Sequence, residues 1–190
     1  MNTQTSMQSS IPLPKHDSPP MTSRWRMARW AMIVFIAAIS IDQASKLWAL
    51  DTLAYGATVP LFLPTLSLRL ALNPGVAFSL GASSGPLLAA GIFVLLVALT
   101  GWVTWKIRRH DRLLGVILLS VVAAGGWGNM IDRIFRAQNG LLSGHVVDFI
   151  AVDWFAVFNL ADVLAVGGIG VWILTTLLER PADRAIATHG

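Results

Sequence analysis

The chain has 190 residues, 55% hydrophobic and only 13% charged, where soluble domains carry about 25% charged residues. That deficit argues against an ordinary water-soluble globule and for lipid as the solvent. With no cysteine there is no disulfide framework, thiolate nucleophile or zinc–thiolate site, and the net charge of +4 is placed as a membrane-topology signal rather than as a nucleic-acid footprint.

Residues 1–23 are polar and punctuated by proline (IPLPKHDSPP), and are expected to be a disordered cytoplasmic tail. Arg24, Arg26 and Arg29 then precede an apolar segment from Trp30 to Ile41. A basic flank, a short apolar core and small Ala37-Ala38 have the outline of a cleavable signal peptide. Against cleavage, the helical pattern runs on through IDQASKLWAL to about Leu50, and the charges flanking the later spans require an odd helix before them. Residues 66–72, LSLRLAL, alternate strictly, which predicts a half-buried strand with Leu66, Leu68, Leu70 and Leu72 on one face. Thr58–Leu63, with prolines at 60 and 64, is its expected edge partner, and a surface-lying helix is the alternative.

Residues 87–105 and 113–131 run without a charge, and at 1.5 Å per residue each reaches roughly 28 Å, close to the hydrocarbon thickness. A fourth span runs from about Phe158 to Leu178 with Asp162 as its only charge. Lys106, Arg108, Arg109 and Arg112 separate the second and third spans, and Arg180 and Arg184 follow the fourth. Basic residues stay inside, so both termini and the middle loop are expected in the cytoplasm, with loops 51–86 and 132–157 outside. Trp30, Trp48, Trp102, Trp105, Trp127 and Trp154 lie near span ends, as interfacial aromatics do. The predicted fold is a mainly α membrane protein of four transmembrane helices with a small extracytoplasmic sheet. Its membrane domain covers residues 24–180, and 181–190 form a second cytoplasmic tail.

Polar residues break this pattern in five places. Asp42, Ser45 and Lys46 share one face of the first span. They either neutralise one another near the interface, with Lys46 snorkelling, or support a site. Asn73-Pro74-Gly75 reads most simply as a turn. Gly125, Gly126 and Gly128 permit close helix approach, and Asn129, Asp132 and Arg133 follow on one face. An Asn in the membrane zone must find a partner, while the plain alternative is a frayed helix end with an intrahelical ion pair. His145 is expected to be a loop residue and not a metal ligand. Asn159 and Asp162 occupy the first turn of the fourth span, where an Asn can cap and a carboxylate is favoured by the helix dipole. Asp148 interrupts an apolar run, and Asp153, beside Trp154, is expected to be solvated. Carboxylates are costly in this setting, so two that converge would suggest acid–base chemistry on water.

Taken in order, Asp42-Gln43-x-Ser45-Lys46, Asn73-x-Gly75-x-Ala77-Phe78-Ser79, Gly128-Asn129-x-x-Asp132-Arg133, Val147-Asp148-Phe149 and Phe158-Asn159-x-Ala161-Asp162 closely resemble the bacterial lipoprotein signal peptidases, or signal peptidase II, over roughly residues 28–178. Each motif is weak alone; five in this order on this topology are specific. The resemblance implies an intramembrane aspartic peptidase of four helices and an outer β-cradle. It would cleave signal peptides from prolipoproteins just before a cysteine carrying diacylglycerol, at the outer face of the bacterial inner membrane. It implies Asp148 and Asp162 as the catalytic pair, with Asn73, Asn129, Arg133 and Asn159 supporting substrate and dyad, and Asp42, Lys46 and Gly75 bracing the scaffold. No metal or other cofactor, no nucleic acid and a monomeric state are expected, with diacylglyceryl prolipoproteins and membrane lipids as partners. The gap from Arg133 to Asp148 is longer, and that from Asp148 to Asp162 shorter, than the resemblance leads one to expect. The alternative reading is a proton-coupled transporter or channel subunit, which would also hold carboxylates and asparagines within its spans. It is disfavoured because the polar residues cluster at the outer end rather than at the midplane.

Overall fold

The structure, a computed structural model, describes residues 21–75 and 85–178. Residues 1–20 of the expected tail at 1–23, the tail at 181–190, the basic Arg180 and Arg184, and the motif residues Ala77, Phe78 and Ser79 lie outside the described residues, while residues 21–23 of that tail are helical. Among the described residues, four helices are long and apolar enough to cross a membrane. They are α1 (Met21–Thr52), α2 (Gly85–Arg108), α3 (Leu113–Phe135) and α4 (Leu160–Leu178). α1 starts nine residues ahead of the expected apolar segment. Nothing from Met21 to Arg29 breaks a helix, and Pro19-Pro20 stands just before it.

α3 is the central helix and packs against the other three. Glycines make its contact with α4 close. A Cβ on Gly125 would collide with the Ala161 carbonyl, and one on Gly128 would lie 2.5 Å from Asp42 Oδ2 and 3.2 Å from Ala161 Cβ. At the end of the bundle away from the polar cluster, Met27, Ala31, Val103, Val116 and Leu119 form a dry core, with Trp172 packed against it. The outward faces carry exposed Ile33, Ile36, Val94, Leu95, Val166 and Leu174. Such faces are stable only against hydrocarbon.

The other end carries a four-stranded antiparallel sheet in chain order: β1 (Val59–Pro60), β2 (Leu66–Asn73), β3 (Val146–Val152) and β4 (Val157–Phe158). β1 and β2 match the expected edge partner and strand. β3 was not legible, because its apolar run is buried on both faces instead of alternating. The strict alternation expected for β2 does not hold. Its register shifts between Leu68 and Ala71, where one extra residue stands opposite β3. Ser67 and Leu70 are therefore buried, while Leu72 is 36% exposed. Behind the sheet, Leu70, Val147 and Phe149 close on Ala49 and Leu53 at the end of α1, and the Phe149 ring meets Trp48 edge-on at 6.2 Å.

Candidate active site

The site begins at the first turn of α4. Asn159 accepts the Asp162 backbone N–H at 3.1 Å through Oδ1, and Asp162 Oδ2 accepts the Asn159 backbone N–H at 3.2 Å. This reciprocal capping box fixes both side chains on a helix end that needs acceptors. The Asn159 amide then reaches outward, donating to Asp148 Oδ1 at 2.6 Å and to Asn129 Oδ1 at 3.0 Å. Asn129 closes the ring by donating to Asp162 Oδ1 at 2.8 Å. A carboxylate from β3 and one from α4 are thus held by two asparagine amides, one from α3 and one from the start of α4.

Asp148 receives its second bond from Asn73, at 3.1 Å to Oδ2. The β2 bulge makes this possible. Ala71 lies opposite Asp148 and Asn73 opposite Val146, so the extra residue brings Asn73 onto the Asp148 face. Asn73 Oδ1 accepts the Gly75 N–H at 3.0 Å, so Asn73-Pro74-Gly75 is indeed a turn, and one that also orients the amide. Arg133 donates to the Gly75 carbonyl. Asp148 is 3% exposed. Burial pushes its carboxyl from the usual 3.8 up to about 6; the Asn73 bond opposes this and the nearby Asp162 charge adds to it. Asp162 is only half-buried. Both carboxylates, with Asn73, Asn129 and Arg133, line one cleft of about 520 Å³, whose other walls include Ile92, Met130, Phe155 and Val163.

Beneath the cleft lies a buried ionic layer. Lys46 is fully buried and does not snorkel. Its ammonium meets Asp42, Asp132 and Asn129 Oδ1, each at 2.9 Å, so all three donors are used. Asp42 also accepts the Ala161 N–H at 3.0 Å, capping α4 from α1. Gln43 bridges Asp42 and the Gly128 carbonyl, both at 3.0 Å. Ser45 bonds back to the Asp42 carbonyl of its own helix. Asp132 accepts the Val147 N–H at 3.2 Å and Arg136 Nε at 3.1 Å, tying β3 to α3. α3 is helical to Phe135 rather than frayed at Asn129. Sequence reasoning assigned no role to Gln43 or Asp132; their place within the quoted motifs was the available signal. His145 and Asp153 are exposed and outside the cleft lining. Among the described residues no three His, Asp or Glu side chains are grouped as metal ligands.

Four apolar helices with paired carboxylates gathered at one end of the bundle define an integral membrane protein with a buried polar centre. Residues 34–178 match the family model for signal peptidase (SPase) II, and the chain belongs to that family of proteases. It is 40% identical over 162 residues to a lipoprotein signal peptidase of Bifidobacterium adolescentis, covering 82% of this chain and 80% of the relative. To the lipoprotein signal peptidase of Mycobacterium avium it is 36% identical over 170 residues, covering 88% and 86%. Two solved chains, each described as a bacterial membrane enzyme, share the fold. Their TM-scores are 0.62 and 0.61 at 23% and 24% identity, over 78% of this chain and 87% and 92% of theirs.

Proposed function

We propose that this chain is an aspartic endopeptidase that removes signal peptides from prolipoproteins, cutting just before a cysteine already modified with diacylglycerol. One observation carries the reading: carboxylates from β3 and α4 share an asparagine clamp and one cleft at the end of a membrane bundle. The relatives' name, lipoprotein signal peptidase, supports the substrate class.

In this mechanism Asp162, accepting N–H bonds at both oxygens on a helix N-terminus, is the ionised partner and takes a proton from water. The water oxygen attacks the scissile carbonyl carbon while Asp148, protonated, gives its proton to the carbonyl oxygen. In the second step Asp162 passes its proton to the amide nitrogen, the C–N bond breaks, and a hydroxyl of the diol returns a proton to Asp148. Products are a carboxylic acid and a free amine, with the pair back in its starting state. Asn73 and Asn159 each occupy one lone pair on Asp148 and fix its plane, leaving a second lone pair on each oxygen for proton and substrate. Arg133 secures the Asn73 turn through Gly75. Asp42 and Lys46 hold the start of α4.

Both termini lie in the cytoplasm and the cleft opens near the outer face, where acyl chains stay in lipid while the scissile bond reaches the carboxylates. Asn73, Asn129 and Asn159, which clamp the pair, all belong to the same chain as the two carboxylates, so one chain suffices for the chemistry. The test is incubation of purified protein in detergent with lipidated and unlipidated precursor, read by mobility shift. The lipidated precursor alone is cut, and Asp148→Asn and Asp162→Asn each lower the rate by roughly 10²–10⁴-fold or more. Full processing by either variant refutes the pair.

A further inference from the structure

A second groove, of about 700 Å³, lies behind the sheet and shares no lining residue with the catalytic cleft. Its floor is Leu72 and Val147, on the sheet face opposite Asp148, together with Leu50 of α1. Its polar wall is Arg136, Gln138, Asn139, Ser143 and His145, and no carboxylate lines it. The loop that builds this wall is the segment between Arg133 and Asp148 that is longer than the family resemblance predicts.

The wall is constructed rather than loose. Ser143 Oγ accepts the Asn139 N–H at 3.1 Å and donates to the Gly140 carbonyl at 2.7 Å. Gly144 donates to the Arg133 carbonyl at 3.1 Å, packed where a Cβ would strike the Asp132 carbonyl. Arg136 is held through Nε by Asp132, so the fork of its guanidinium is oriented in advance. The ends of α1 and α3 bound the groove, which sets it at the level of lipid headgroups. Phe135 and Tyr55, 80% and 72% exposed, contribute aromatics at the same level.

We propose that this groove binds the phosphodiester headgroup of a phospholipid, with Arg136 as the anion contact and the start of an acyl chain on Leu50 and Leu72. A volume of this size suits a small-molecule site. An apolar floor beside a single cationic wall fits an amphiphile better than a free anion.

The experiment uses the full chain in detergent with a phosphatidylglycerol analogue that carries a photoreactive acyl chain, and maps the labelled peptides. Labelling is expected within residues 50–55 and 135–147, competed by unlabelled phosphatidylglycerol and not by diacylglycerol or inorganic phosphate. Arg136→Gln should cut labelling there about tenfold, the loss expected of one charged hydrogen bond, and Arg136→Lys should retain more. Leu72→Trp, which fills the groove without touching the Arg136–Asp132 pair, should abolish it and serves if Arg136→Gln misfolds. Unchanged labelling in Arg136→Gln or in Leu72→Trp overturns the site, as does equal competition by diacylglycerol. Competition by inorganic phosphate alone overturns the lipid assignment in favour of a free-anion site.

Discussion

Lys46 shows how a residue that is costly in a membrane becomes indispensable. Its three donors meet two carboxylates and an amide oxygen, so the desolvation cost of the ammonium is offset by opposite charge and by hydrogen bonds to every donor. Lys46→Met should therefore destabilise the protein by about 3–5 kcal/mol, since it leaves Asp42 and Asp132 facing each other across an apolar gap. The thermal midpoint in detergent would report it. Asp148 makes the opposite bargain: its environment favours the proton. Its carboxyl stands near 6 in the fold against 3.8 for the free group, so the folded state binds that proton more tightly than the unfolded chain. The stability it contributes is complete below about pH 3.8 and is lost as pH rises through about 6. Between pH 4 and 7 wild type should thus lose up to about 3 kcal/mol relative to Asp148→Asn, measured as the difference of their unfolding free energies at each pH. An unchanged difference would contradict the elevated carboxyl.

At the scale of elements, α3 and β2 do most to assemble the cleft. α3 brings α4 close enough for Asn129 to reach Asp162, and it does so through glycines. Gly128→Ala would press a methyl group against the Asp42 carboxylate and Ala161, at a cost of about 1–3 kcal/mol, with loss of precursor processing. Gly170→Ala on α4 is the control, because a Cβ there meets nothing within 4 Å, and it should leave stability and processing unchanged. β2 contributes through its bulge. Were the same residues to continue from Leu68 in regular register, Asn73 would fall on the face away from Asp148, and the bulge turns it back. Asn73→Ala, which removes the amide that the bulge delivers to Asp148, should therefore lower processing sharply while the protein still inserts into membranes, as followed by fractionation.

For the whole molecule, the arrangement is a bundle closed by dry packing at one end and by an ionic layer at the other, with the sheet set over the ionic end. The proposed topology can be checked directly because the chain has no cysteine of its own. Asp153→Cys, in the exposed turn after β3, should react with a membrane-impermeant maleimide added outside intact cells, and should keep processing activity. Arg109→Cys, between α2 and α3, should react only after permeabilisation. The reverse pattern would invert the orientation and put the cleft on the cytoplasmic side.

Four spans, the β2 strand with its edge partner, and the list of polar residues that had to find partners were all determined by the sequence. Hydrophobic length and the cost of placing charge in lipid act locally and leave their mark on each segment. Asn159 with Asp162 was legible for the same reason, as a cap written within four residues. The strand β3, the β2 bulge, the burial of Lys46 and the service of Asp132 to the Val147 N–H were decided only by the tertiary structure. Each depends on partners far apart in the chain, and a buried strand carries no alternation to betray it. Whether Asp42 and Lys46 merely neutralised each other or held a site could not be read from their own helix. The answer lay in Asp132, Asn129 and the Ala161 N–H, which reach them only after α1, α3 and α4 pack together.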